Sequence, residues 1–159
     1  MTFRVAPDDL TSEQTRELLR LHLAGMHASS PPGHSFALDL SGLQAPEVTV
    51  WSAWDGDRLA AVGALKALPD GNGEVKSMRT HPDFLRRGAG AAVLEVIIAE
   101  ARARGFARLS LETGSGAAFD AALALYLRRG FVNGAAFADY VPSDFNQFLH
   151  LDLRADRVV

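Results

Sequence analysis

The sequence predicts an α/β protein built on a mixed sheet with helices on both faces. Three observations predict it. Alternating apolar segments separated by tight turn signals fill the first half, as antiparallel strands do. A long amphipathic helix then links two further strand-like segments, as a crossover between parallel strands requires. A second helix and two final strand-like segments close the chain, giving the order βα(α)βββαβαββ.

Residues 2–6 carry enough β character for a short first strand. Ser12 is placed to cap a helix through Arg20 and beyond, with Leu18, Leu19, Leu21 and Leu23 on its broad apolar side. His22, Met26 and His27 end it, and Ser29-Ser30-Pro31-Pro32-Gly33 breaks the chain. A short helical or irregular piece, 36–43, follows. Residues 48–54 alternate as a strand, Asp55-Gly56-Asp57 marks a hairpin, and 59–68 return. After Pro69-Asp70-Gly71-Asn72-Gly73, residues 74–80 form the next strand and His81-Pro82-Asp83 turns out of it. The long helix runs to about Arg104, with Ala91, Leu94, Ile97, Ile98 and Ala101 on one face and Gly105 to stop it. Residues 107–112 are strand-like, 118–129 helical and closed by Gly130. The segments 131–136 and 145–153 read as the last strands.

The 159 residues make one domain with room for a real core. A net charge of −3 argues against nucleic acid or an anionic membrane as partner. No apolar run reaches the length of a membrane span and no signal pattern is visible, so a cytoplasmic location is expected. Cysteine is absent, which excludes disulfides, thiolate metal sites and a cysteine acyl-enzyme. The spacing of His22, His27 and His34 matches no ligand pattern, so no metal is expected.

The chemistry concentrates between Gly73 and Gly90. The start of a helix offers unpaired N–H groups and a favourable dipole to a phosphate. Gly88 and Gly90 let a ligand approach the backbone, and Arg86 and Arg87 add charge. The loop has neither the spacing nor the lysine of a P-loop, and Val93 stands where a dinucleotide fingerprint needs its last glycine.

Leu85-Arg86-Arg87-Gly88-Ala89-Gly90, after a strand ending Met78-Arg79-Thr80, resembles the acetyl-CoA loop of the GNAT N-acetyltransferases, [QR]-x-x-G-x-[GA] opening a helix. Leu85 departs from the first position of that signature. The pattern from Ala122 through Leu125-Tyr126 to Gly130-Phe131 is similar to the family's second acetyl-CoA signature, with Phe119 where the family has an asparagine. The order of elements extends the resemblance over most of the chain. It implies a GNAT fold, acetyl-CoA as cofactor and a homodimer. The backbone from Leu85 to Gly90, Ala89 included, is to hold the pyrophosphate. Met78, Arg79 and Thr80 are to bond the pantetheine arm, Phe119 is to lie along it, and Tyr126 is to be the acid beside the thioester.

A base must take the proton of an acceptor ammonium. Glu74, on the strand before the phosphate loop, ranks first, at the spacing from Gly88 that the family's base glutamate has. Glu112 ranks second, as base or ammonium ligand, and water remains open. Unbroken alternation puts Lys76 on the Glu74 side of the strand, able to pair with Glu74 or to bind an acceptor carboxylate.

A narrower resemblance rests on Met26-His27, Ser30-Pro31-Pro32, Ala37 to Leu40, Gly73 to Arg79, Leu111 to Gly114 and Phe137 to Tyr140. These residues are similar to the YsnE-like branch of bacterial small-molecule acetyltransferases, over residues 12–153. The branch implies that the 27–40 segment and Tyr140 shape the acceptor pocket, with His27, Ser30, Pro31, Lys76 and Glu112 toward the substrate. The expected activity is direct N-acetylation of a small primary amine. A catalytically silent CoA-binding module, suggested by Leu85 and Phe119, is the alternative.

Overall fold

A computed structural model describes residues 2–154. The strands β1 (Arg4–Pro7), β2 (Val48–Asp55), β3 (Arg58–Ala67), β4 (Gly73–Thr80), β5 (Arg108–Thr113), β6 (Val132–Asn133) and β7 (Gln147–Asp152) form one sheet, ordered β1-β2-β3-β4-β5-β7-β6. The first four run antiparallel in sequence. The β4–β5 pair is parallel, and β7 and β6 return antiparallel. This is the mixed sheet the sequence predicts.

Helices α1 (Glu13–Ser29) and α2 (Leu40–Leu43) pack on one face of the sheet, where Leu18, Leu19 and Leu43 meet Val50, Val62 and Ala64. The Ser12 side chain accepts the amide of Thr15 at the α1 N-terminus, the cap its position predicts. On the other face lie α3 (Ala89–Ala103) and α4 (Asp120–Arg128). Val93, Leu94, Ile97 and Ile98 of α3 are buried there with Leu65, Val75, Leu109 and Tyr126. Each such side chain contributes about 1.5–3 kcal/mol by leaving water, so the crossover helix is held by its apolar stripe.

Three boundaries differ from the sequence reading. The last strand starts at Gln147 because Ser143 and Asn146 bond each other's backbone and side chains in a turn. β6 is two residues long, and past Gly134, whose amide bonds the Phe148 carbonyl, the chain leaves the ladder. The second helix is preceded by a 3₁₀ turn, Ala117–Phe119, so Asp120 is its first α residue.

One feature of β4 has no counterpart in the pattern of the sequence. Against β3, Arg79 pairs with Val62 and Lys76 with Ala64, leaving Ser77 and Met78 opposite Gly63 alone. This is a β-bulge, with Ser77 at φ +58°. Gly63 is required there: a Cβ would lie 2.4 Å from Met78 Sδ and 2.8 Å from Val93 Cγ1. The bulge inverts the facing of everything after it. Glu74 and Lys76 keep the common side that alternation predicts, but Arg79 then turns toward α1 while Met78 joins the core under α3.

Candidate active site

β4 and β5 pair only at Gly73 with Leu109 and Glu74 with Ser110. Beyond that point β4 stays with β3 and β5 with β7, and the two parallel strands part. A cleft of about 520 Å³ opens between them. Its walls include Met78, Arg79 and Thr80 of β4, Glu112 and Thr113 of β5, and Phe119 and Tyr126 of the second helical segment.

At one end the cleft reaches the N-terminus of α3, bordered by Leu85, Arg86, Gly88, Ala89 and Gly90. No side chain caps this helix: the N-cap is Gly88 in the left-handed region at φ +88°. Arg86 is also left-handed, at φ +63°, an uncommon conformation for a residue with a Cβ and one that concentrates at functional sites. The helix start lies so close to β4 that a Cβ on Gly90 would sit 3.1 Å from Thr80 Oγ1. Arg87 instead lies over the Phe84 ring, 5.7 Å from its centroid. Uncapped N–H groups, a glycine turn and a flanking arginine make an anion cradle. The residues present therefore fit the diphosphate of a CoA, and the apolar cleft beyond fits its arm.

Midway, Tyr126 is buried against Phe131 with ring centroids 5.7 Å apart. Burial pushes its phenol well above the ordinary tyrosine value, so the hydroxyl stays protonated. Phe119, also buried, packs edge-on against Phe145 at 5.5 Å. Phe119, Ala122 and Tyr126 all line the cleft, as their spacing predicts.

The two carboxylates are placed very differently. Glu74 is 2% exposed and lies behind the cleft wall, accepting from Tyr140 Oη at 2.5 Å and from Lys76 Nζ at 3.3 Å. Lys76 Nζ also donates to Tyr140 Oη at 2.9 Å, closing a buried triad. Burial, and then the Glu74 charge, push the Tyr140 phenol far up. Glu112 lines the cleft itself, and its buried Oε2 has no hydrogen-bond partner among the described residues. Burial raises its pKa to about 7, with the Glu74 charge adding and Lys76 and Asn146 opposing. The two carboxylates ranked from sequence thus differ in what they can still bind. Glu74 is committed to two partners, whereas Glu112 is the carboxylate open to a ligand.

Of the residues expected toward an acceptor, Ser30, Lys76 and Glu112 border the cleft. His27 and Pro31 are exposed and stand outside its lining. Tyr140 is set back with Glu74, edge-on to Phe36 at 5.3 Å, and so acts on the wall from behind. Sequence reasoning missed His22, buried in α1, which accepts from Arg79 Nε at 3.0 Å.

A family model described as "Acetyltransferase (GNAT) family" matches residues 13–131. The chain belongs to this family. It is accordingly an acyltransferase that uses acetyl-CoA. It is 47% identical over 151 residues to the uncharacterized N-acetyltransferase YedL of Escherichia coli, covering 95% of each chain. It is 52% identical over 133 residues to the uncharacterized N-acetyltransferase YsnE of Bacillus subtilis, covering 84% of this chain and 88% of that one. The branch resemblance read from the sequence is thus borne out by both relatives. A crystal structure of an acyl-CoA N-acyltransferase from Klebsiella pneumoniae superposes with a TM-score of 0.80 at 27% identity, over 96% of this chain and 98% of that one. A Bacillus subtilis acetyltransferase crystallised with CoA shares the fold, with a TM-score of 0.71 at 20% identity over 95% and 99%.

Proposed function

We propose that this chain, acting as a single domain, transfers an acetyl group directly to the primary amine of a small molecule. The observation that carries this reading is one continuous cleft. It runs from the uncapped start of α3 to a buried phenol and to Glu112, a carboxylate of raised pKa whose Oε2 has no hydrogen-bond partner among the described residues.

Bound acetyl-CoA supplies the acetyl group as a thioester. The amides from Leu85 to Gly90, with Arg86, hold its diphosphate, and the edge of β4 left free by the splayed sheet faces its arm. The bulge at Ser77–Met78 interrupts the β3–β4 ladder, and a strand N–H beside it is the donor assigned to the charge developing on the acyl oxygen. Glu112 takes the proton of the incoming ammonium, since a carboxylate with a pKa near 7 is about half ionised at neutral pH and far more basic than an ordinary carboxylate. As the C–N bond forms and the C–S bond breaks, the Tyr126 hydroxyl donates its proton to the departing sulfur, and the second proton, shed by the nitrogen as it becomes an amide, restores the phenol. Glu74 positions: it holds Lys76 and Tyr140 in the wall behind Glu112.

The test is calorimetric titration of the purified protein with acetyl-CoA, CoA, ATP and NAD, followed by an amine panel read by thiol release and product mass. Micromolar binding of the CoA forms with release dependent on amine is expected. Binding without turnover on any amine would favour a silent CoA-binding module instead.

A further inference from the structure

The cleft carries a charged group that the transfer chemistry leaves unused. The bulge in β4 turns the Arg79 side chain toward α1, where Nε donates to His22 Nδ1 at 3.0 Å and Nη2 to the His22 carbonyl at 3.3 Å. The helix is shaped to receive it. A Cβ on Gly25 would lie 2.7 Å from Arg79 Nη2 and 3.5 Å from Cζ. Glycine inside a helix costs roughly 0.5–1 kcal/mol against alanine, and here the missing side chain is the seat of the guanidinium.

That seat does not neutralise the charge. Burial, and then the fields of Arg79 and Lys76, hold His22 down to about 4, so the ring that accepts from Arg79 is neutral. Burial also lowers the Arg79 pKa. No carboxylate among the described residues pairs with Arg79, whereas the neighbouring Lys76 is paired with Glu74. A half-buried guanidinium held by neutral groups, with Nη1 unbonded among the described residues and its edge on a cleft, is a fork for carboxylate oxygens. The same chamber holds Glu112. A guanidinium with no carboxylate partner among the described residues and a carboxylate open to a proton, in a single chamber, complement a molecule carrying both an acid and an amine.

We propose that Arg79 binds the carboxylate of the acceptor and that the acceptors are amino acids. The assignment rests on the N-acetyltransferase reading and adds the substrate class to it. Arg79 presents the acceptor by its carboxylate, leaving the amine toward Glu112 and the thioester.

The full-length protein is to be assayed with acetyl-CoA against matched sets: each amino acid, its carboxamide and the corresponding decarboxylated amine. Wild type is expected to favour the acid over its carboxamide by about 100-fold in kcat/KM, the factor that a lost charge-assisted pair of about 3 kcal/mol gives. In R79M that ratio is expected to fall toward one, mainly through a higher KM for the acid. R79K, which keeps a charge but not the fork, is expected to recover part of it. Acetyl-CoA affinity measured in parallel reports whether each variant is folded, and the wild-type comparison needs no variant at all. Equal use of acid and carboxamide by wild type would overturn the assignment while leaving N-acetylation intact. An equal loss of rate on all three acceptors in R79M would also overturn it, making Arg79 a clamp on α1. Failure to acetylate any amine would remove both readings.

Discussion

Glu112→Gln tests which of the two carboxylates, Glu74 or Glu112, is the base. With a pKa of about 7, Glu112 is roughly one-tenth ionised at pH 6 and nine-tenths at pH 8. If it takes the ammonium proton, kcat at saturating acceptor should rise about tenfold between those values and level off above them. Glutamine keeps the shape and the Asn146 neighbourhood but cannot accept a proton. The substitution should lower kcat by about 10²–10⁴-fold and flatten the limb below pH 7. The assay is thiol release across pH 5.5–8.5, with acetyl-CoA binding measured beside it. The same group gives a stability test with a definite sign. Its folded pKa lies above the ordinary glutamate value of 4.5, so the folded protein binds the proton more tightly than the unfolded chain. That contribution is present below pH 4.5 and is lost as pH rises toward 7. Glu112→Gln should therefore gain in Tm relative to wild type as pH rises over that window. A limb that survives in Glu112→Gln and shifts instead in Glu74→Gln would refute the reasoning and restore Glu74 as the base.

Tyr126→Phe keeps the buried ring against Phe131 and removes only the hydroxyl, so kcat should fall about 10²–10³-fold with acetyl-CoA affinity within about twofold; unchanged turnover would exclude the acid role. Glu74→Ala strands the Lys76 ammonium, whose side chain is 9% exposed, and should cost about 3–5 kcal/mol. Chemical denaturation would show this, and a loss under about 1 kcal/mol would mean that the triad holds little. Gly63→Ala pushes a Cβ into Met78, Val93 and Ile97 and should destabilise by about 1–3 kcal/mol, or roughly 3–9 °C in Tm. A neutral result would mean that the bulge can slide.

What was legible in the sequence follows from what is local. Ser12 capping α1, the apolar stripe of α3 and the glycines at the helix start all act within a turn or two of chain, so residue type and spacing reveal them. Phe119 and Tyr126 share a helical face and both reach the cleft. The carboxylates were harder. Glu74 and Glu112 look alike as letters at strand ends, and only the third dimension brings Tyr140, 66 residues away, onto one of them. His27 and Pro31 rest on the branch resemblance, which does not say which way a side chain points: at the end of α1 and just past it both are exposed, while Ser30 borders the cleft.

The bulge shows how one extra residue in a strand can assign chemistry. Without it, period-two alternation would put Arg79 on the α3 face with Val75, where a guanidinium would displace apolar core. With it, Val75 and Met78 both pack under α3, and Arg79 crosses to the face that already carries Glu74 and Lys76. The same irregularity interrupts the β3–β4 ladder between Lys76 and Arg79, both of which border the cleft. In the proposed mechanism a single local distortion serves both the backbone donor for the acyl oxygen and the side-chain cation for the acceptor. Gly63 and Gly25 are its two supports, one making room on the α3 side and the other on α1. Substituting either should disturb acceptor use more than acetyl-CoA binding, because the diphosphate cradle lies beyond the bulge at the start of α3.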